Sequence, residues 1–84
     1  MIVDASALVA MLLGEPDAER IEQAIRAAPV CEIGAPSYVE AAIVLRAKRG
    51  AAGLLALDAL VAMLGLRIVS FGADGARHAV SAYD

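Results

Sequence analysis

The chain has 84 residues, which is enough for one domain and below the usual size of roughly 100–150 residues. Its formal net charge of −3, from 10 acidic and 7 basic residues, excludes nucleic-acid binding through overall positive charge. The single cysteine, Cys31, excludes an internal disulfide and suits a reducing compartment. No uncharged apolar stretch reaches the ~18 residues that a membrane span needs. We therefore expect a cytoplasmic protein with no membrane partner.

The first fourteen residues predict a strand, a turn and a helix. Residues 1–3 form a short apolar run typical of a buried strand, and Asp4 follows at its carboxyl end. Ser6 is a candidate N-cap for the helix, and Gly14 stands where a left-handed helix stop is expected. Two interpretations of Asp4 stay open. It either points into the crevice where α/β sheets place their sites, or accepts amide hydrogen bonds ahead of the helix.

The rest of the chain alternates between helix-like and strand-like patterns. The predicted elements are a second helix over 16–28, a strand over 30–33, a third helix over 37–50, a fourth over 51–65, a strand over 67–71 and a fifth helix capped by Asp74. His78, within that last helix, has no second His or Cys at ligand spacing and is expected at the surface. This order predicts an α/β fold with a parallel sheet and right-handed crossovers.

The fourth predicted helix is apolar on most of its circumference. Asp58 is its only charged residue, and Leu57 lies at the centre of its main apolar stripe. A helix of this kind is buried by more than one neighbour or lies in a subunit interface. We therefore predict a homodimer or an added polypeptide, with the surface around Leu57 as the contact.

Glu40 is the second candidate for chemistry. Ser37 and Glu40 have the Ser-x-x-Glu spacing of a capping box, in which Glu40 turns back to the Ser37 amide and has no chemical role. The alternative makes Glu40 a partner of Asp4 at the same end of the sheet. In that case the two carboxylates repel, and one of their pKa values should rise.

The whole sequence resembles the PIN-domain ribonucleases, and most closely the VapC toxins of bacterial toxin–antitoxin pairs. The stretch Met-Ile-Val-Asp-Ala-Ser-Ala-Leu-Val-Ala at 1–10 is close to that family's opening of strand, acid, hydroxyl and apolar helix. Gly-Glu-Pro at 14–16, Pro-Ser-Tyr-Val-Glu-Ala at 36–41 and Ile-Val-Ser-Phe at 68–71 look like the family as well. The order and spacing of these four stretches carry the resemblance.

The resemblance implies a PIN-like three-layer sandwich, with a short parallel sheet and helices on both faces. It also implies that Asp4 and Glu40 are catalytic and bind Mg²⁺ or Mn²⁺, and that Ser6 supports Asp4. The hard-cation chemistry of carboxylates agrees with this assignment. The implied activity is metal-dependent endoribonuclease cleavage of RNA, and the implied partner is a cognate VapB-like antitoxin.

One departure from the family pattern concerns the end of the sequence. The family carries further acids and a fourth strand in a C-terminal part, whereas this sequence ends at Asp84. We therefore expect residues 1–84 to form a single domain equal to the N-terminal two-thirds of the usual one, and to be a weak ribonuclease alone. The alternative is a catalytically inactive PIN-like fragment that acts as a protein-binding or dimerisation module.

Overall fold

The computed structural model describes residues 1–70. In chain order the elements are β1 (Ile2–Val3), α1 (Ala5–Leu12), α2 (Ala18–Ala27), β2 (Glu32–Gly34), α3 (Ala35–Leu64) and β3 (Arg67–Val69). The predicted order of strands and helices is confirmed as far as β3. The predicted fifth helix, with Asp74 and His78, lies outside the described residues.

The three strands form one parallel sheet with β2 in the middle. Their register aligns Val3, Ile33 and Ile68. Val3 and Ile33 are buried, whereas Ile2 is 82% exposed. Since successive strand residues point to opposite faces, the helices pack on the face that carries Val3 and Ile33. Ile2, on the opposite face of β1, lies outside this buried core.

The end of α1 is built as the sequence predicts. Gly14 adopts a φ of 67°, the left-handed conformation that favours glycine. Its amide donates to the Met11 carbonyl at 3.4 Å, and the Glu15 amide donates to the Ala10 carbonyl at 3.0 Å. These two bonds satisfy the last carbonyls of the helix in the Schellman pattern. The chain can therefore turn sharply and send α2 back along α1.

The long element α3 is a helical hairpin whose two arms meet at Gly50. This residue has a φ of 63° and a ψ of −149°, which only glycine adopts readily, and it divides a first arm (35–49) from a second arm (51–64). A Cβ placed on Gly53 would lie 2.5 Å from the Leu45 carbonyl oxygen, so the second arm folds back tightly on the first. The arms correspond to the predicted third and fourth helices.

One predicted boundary and one predicted cap at the start of α3 are corrected. The helix begins at Ala35 with Gly34 as its N-cap, rather than at Ser37. Pro36 occupies the first turn, where its missing amide hydrogen costs nothing. Ser37 is therefore already inside the helix, and the capping box predicted for Ser37 and Glu40 is wrong.

The core lies between the sheet and the two helical hairpins. Its fully buried side chains are Leu8, Ile33, Leu45 and Leu57. The prediction that Leu57 lies in a partner surface is therefore wrong, because it packs within its own chain. The exposed apolar side chains of α3 are on other faces, at Val39, Ile43, Leu55 and Met63. Within residues 1–70, no helix combines the length and the apolar character needed to span a bilayer.

Candidate active site

Asp4 stands at the junction between β1 and α1. It is the N-cap residue of α1, and its carboxylate accepts the Ala7 amide at 3.0 Å and the Ser6 hydroxyl at 2.8 Å. The predicted N-cap role of Ser6 is therefore wrong, since Ser6 is inside the helix and donates to Asp4. The interpretation of Asp4 as an acceptor of amide hydrogen bonds at the helix start is confirmed. Its solvent exposure leaves oxygen lone pairs available for a further partner.

These hydrogen bonds set the charge of Asp4. The Ser6 hydroxyl, followed by the Ala7 amide, holds the pKa of the Asp4 carboxyl below its ordinary value, and slight burial opposes them. Both donors favour the ionised form because they bind to its negative charge. The rise expected for a crowded pair of acids is thus not found at Asp4. The carboxylate is ionised at neutral pH, the state that a cation requires of a ligand.

Glu40 follows the neighbouring strand β2 in the chain, as Asp4 follows β1. Val3 pairs with Ile33, so Asp4 and Gly34 leave two adjacent parallel strands at one edge. α3 begins one residue later, and Glu40 is its sixth residue, in the second turn rather than in the predicted first turn. Its side chain is exposed. Because there is no capping box, the Glu40 side chain does not hydrogen-bond to the start of α3.

A polar pair that the sequence analysis missed ties the base of the α3 hairpin. The Tyr38 hydroxyl donates to the Asp58 carboxylate, which joins the first arm to the second arm twenty positions later. The Asp58 carboxylate raises the pKa of Tyr38 above its ordinary value. Two features could have indicated the pair. Asp58 is the only charged residue of the second arm, and the Tyr38 hydroxyl lies next to the apolar residues of the first arm. The pair limits rotation of the arm that carries Glu40.

The donors at this edge fit a hard divalent cation of low protein coordination. Within residues 1–70, no group of three or more His, Cys, Asp or Glu side chains is arranged to hold a metal ion. Mg²⁺, however, is commonly held by one or two carboxylates while it keeps several waters. Asp4, ionised and exposed, and Glu40 are suitable donors for that mode of binding.

There is open space beside Asp4 for a ligand. A hollow of about 260 Å³ runs along β1 and is lined by Ile2, Asp4 and Ile21, among others. It borders β1 where that strand forms an edge of the described sheet. A molecule bound there would meet one ionised carboxylate and otherwise mainly apolar side chains.

Fold and site together define an α/β protein in which an ionised acid, Asp4, stands at the carboxyl end of a parallel strand. The PIN domain family model matches residues 1–84 of this chain. The chain therefore belongs to the PIN-domain family, as its sequence pattern predicted.

Curated relatives of the chain carry the name VapC. The chain is 42% identical over 83 residues to the VapC ribonuclease Mb0640 of Mycobacterium bovis and to Ribonuclease VapC30 of Mycobacterium tuberculosis. It is 41% identical over 83 residues to Ribonuclease VapC of Mycolicibacterium smegmatis. These alignments cover 99% of this chain. The chain spans 63% of the length of the first two relatives and 64% of the third.

Proposed function

We propose that the protein is a VapC-like endoribonuclease toxin that hydrolyses RNA phosphodiester bonds with the help of Mg²⁺ or Mn²⁺. The observation that carries the proposal is the ionised, exposed Asp4 carboxylate at the end of β1, in a chain of the PIN family. The names of the curated relatives, all ribonucleases, support the RNA substrate. Such a substrate would be met in the cytoplasm.

Each residue of the site has a separate role in this proposal. Asp4 and Glu40 are the catalytic, metal-holding carboxylates, and the Ser6 hydroxyl keeps Asp4 ionised and fixes its orientation. A cation bound to them would supply water activation and charge neutralisation at the phosphate. The Asp4 carboxylate is already fixed by two hydrogen bonds, so ligand binding requires little further ordering of that side chain.

The test is cleavage of single-stranded RNA by the 84-residue chain, with added Mg²⁺ or Mn²⁺ and with excess EDTA. We expect weak cleavage that depends on metal and is abolished in Asp4→Asn and in Glu40→Gln. Glu40→Gln should fold normally, since Glu40 has no capping role in α3. Strong cleavage in EDTA would remove the metal mechanism. Robust cleavage by this chain alone would contradict the expectation that it is a weak ribonuclease.

We also propose two protein partners, a second copy of the chain and a VapB-like antitoxin. The support is the exposed apolar surface of α3, where Ile43 is 65%, Leu55 is 72% and Met63 is 61% exposed. Leu55→Asp should abolish a homodimer in light scattering, whereas Leu57→Asp should unfold the core. A monodisperse monomer of the unmodified chain at high concentration would contradict the homodimer.

The second candidate function is a catalytically inactive PIN-like module that binds proteins. It is favoured by the same exposed apolar side chains, and by the absence of a three-acid cluster within residues 1–70. The two functions differ in metal binding. An enzyme should bind Mn²⁺ in a way that depends on Asp4, as electron paramagnetic resonance would measure. A module should bind none and still form its complexes.

A further inference from the structure

The closed end of the α3 hairpin carries a concentration of positive charge. Arg46, Lys48 and Arg49 are exposed and lie within one turn of the fold-back at Gly50; we call them the basic tip. They are three of the seven Lys and Arg residues of the chain. In a protein with a net charge of −3, this end of the molecule is locally cationic.

The basic tip is not explained by ion pairing. In the described part of the chain, the two ion pairs are Arg20 with Asp17 and Arg26 with Glu22, and both involve α2 or its N-cap. The acids nearest the tip along α3 are Glu40, six residues before Arg46, and Asp58, nine residues after Arg49. Within residues 1–70, neither of these acids forms an ion pair with the tip.

The helix dipole explains the tip only in part. A cation in the last turn of a helix interacts favourably with the free carbonyl groups there. At 100° per residue, however, Lys48 projects about 160° from Arg46, to the other side of the arm. Side chains spread around the arm in this way present charge outward on two sides, which suits a long polyanion better than a single ion.

The tip and Glu40 lie on the same arm of α3. Lys48 is eight residues after Glu40, so the two are separated by roughly 12 Å along the helix axis at 1.5 Å per residue. The Tyr38–Asp58 hydrogen bond and the close packing of Gly53 on Leu45 hold that arm in place. A chain of phosphates that reaches the acids can therefore also reach the tip.

We propose that the basic tip binds the phosphate backbone of single-stranded RNA and directs it toward Asp4 and Glu40; this inference rests on the proposed function. Arg46, Lys48 and Arg49 supply the electrostatic attraction that the net charge of the chain does not. The acids supply the chemistry, and the tip supplies sequence-independent affinity.

The experiment measures the binding of a fluorescein-labelled single-stranded RNA by anisotropy across a series of NaCl concentrations. The parent is the full chain with Glu40→Gln, so that the RNA stays intact in Mg²⁺. The tip variant adds R46Q, K48Q and R49Q. The matched control instead adds R20Q, R26Q and R67Q, which changes the net charge by the same amount at sites away from the tip. Circular dichroism checks the fold of each protein.

We expect the tip variant to bind RNA at least about tenfold more weakly at low salt, with a salt slope smaller by about 2 for three lost phosphate contacts. The control should stay within about threefold of the parent, because its cations lie outside the tip. A charge-preserving variant, R46K with R49K, should keep the parent slope.

Two results would overturn the inference while the proposed function stands: the tip variant binds like the parent, or the control loses as much affinity as the tip variant. A parent that fails to bind RNA at all, together with an unmodified chain that fails to cleave it, would reject both the inference and the proposed function.

Discussion

The two junctions between strand and helix at the acidic edge are built differently. At the β1–α1 junction the acid itself caps the helix, and Asp4 is held by Ser6 and Ala7, which follow it directly. At the β2–α3 junction the N-cap is Gly34, and Glu40 comes six residues later. The first acid is thus fixed by its sequence neighbours, whereas the second is positioned by the packing of a whole helix.

The positions of the two acids therefore depend on different parts of the structure. Asp4 should tolerate changes far from it, because its partners lie within three residues. Glu40 should respond to any change that moves the first arm of α3, including changes at the second arm. Variants at the two junctions can therefore show whether Asp4 is held locally while Glu40 moves with the first arm of α3.

The largest expected effect is on activity, from removing either carboxylate charge. Asp4→Asn and Glu40→Gln should each lower RNA cleavage by about 10²-fold or more, since one charged group at the reacting phosphate is worth several kcal/mol. Asn still caps helices well, so Asp4→Asn should remain folded. Asp17→Asn is the control, because Asp17 caps α2 without a side-chain hydrogen bond. Equal losses in all three variants would contradict the assignment.

The next largest effect is on stability, from crowding the hairpin. Gly53→Ala should destabilise the fold by about 3 kcal/mol, because its Cβ would meet the Leu45 carbonyl, a backbone atom that cannot rotate away. Gly14 has a φ of 67° but open space around its Cα. Gly14→Ala should therefore lower the free energy of unfolding by only about 1 kcal/mol. Urea denaturation measures both values. A smaller loss for Gly53→Ala than for Gly14→Ala would show that the arms pack less closely.

The first junction could be predicted from sequence, and the second only in part. The sequence predicts the features of residues 1–14 because they lie within a few residues of one another: the strand, Asp4, the helix and its end at Gly14. The wrong detail there was the N-cap role of Ser6, since Ser and Asp both cap helices and the pattern does not rank them. The hydrogen bond from Ser6 to Asp4 depends on where α1 begins. The sequence pattern alone does not determine that residue.

The errors in α3 have a tertiary origin. Ser-x-x-Glu at 37–40 matches a capping box, but Pro36 also fits the first turn of a helix, and the helix starts before both. Leu57 and Leu55 are both apolar, and only the fold-back at Gly50 decides which one is buried. The Tyr38–Asp58 pair joins residues twenty positions apart, so only the fold-back of α3 brings the two side chains together.

A smaller effect is expected at the polar pair at the base of the hairpin. Tyr38→Phe removes its hydrogen bond to Asp58 and should cost about 0.5 kcal/mol at neutral pH, since the pair is solvent-exposed. The Tyr38 pKa is raised in the fold, so this contribution is complete below the ordinary tyrosine pKa of 10.0 and is lost as the pH rises through the folded value.

Urea denaturation of the unmodified chain and of Tyr38→Phe, at neutral and at strongly alkaline pH, measures this contribution. The difference between the two proteins should shrink at alkaline pH. A difference that stays constant would assign the Tyr38 effect to ring packing instead of the hydrogen bond. If the position of the arm controls Glu40, Tyr38→Phe should also lower the rate of RNA cleavage.

The smallest effect is expected at Ser6, and it tests the locally fixed half of the site. Ser6→Ala removes the main cause of the low Asp4 pKa, so that pKa should rise toward its ordinary value of 3.8. Asp4 then stays ionised at neutral pH, and any stability it contributes is present above its unfolded pKa and is lost as the pH falls through the folded value. In Ser6→Ala this contribution should be smaller, and its loss should be complete at a higher pH, because the folded pKa lies nearer the unfolded one. A carbon-detected NMR titration of the Asp4 carboxyl group in both proteins measures the shift directly, and Ser6→Thr, which keeps the hydroxyl, should leave the pKa low. An unchanged Asp4 pKa in Ser6→Ala would mean that the Ala7 amide alone sets the charge of the first acid.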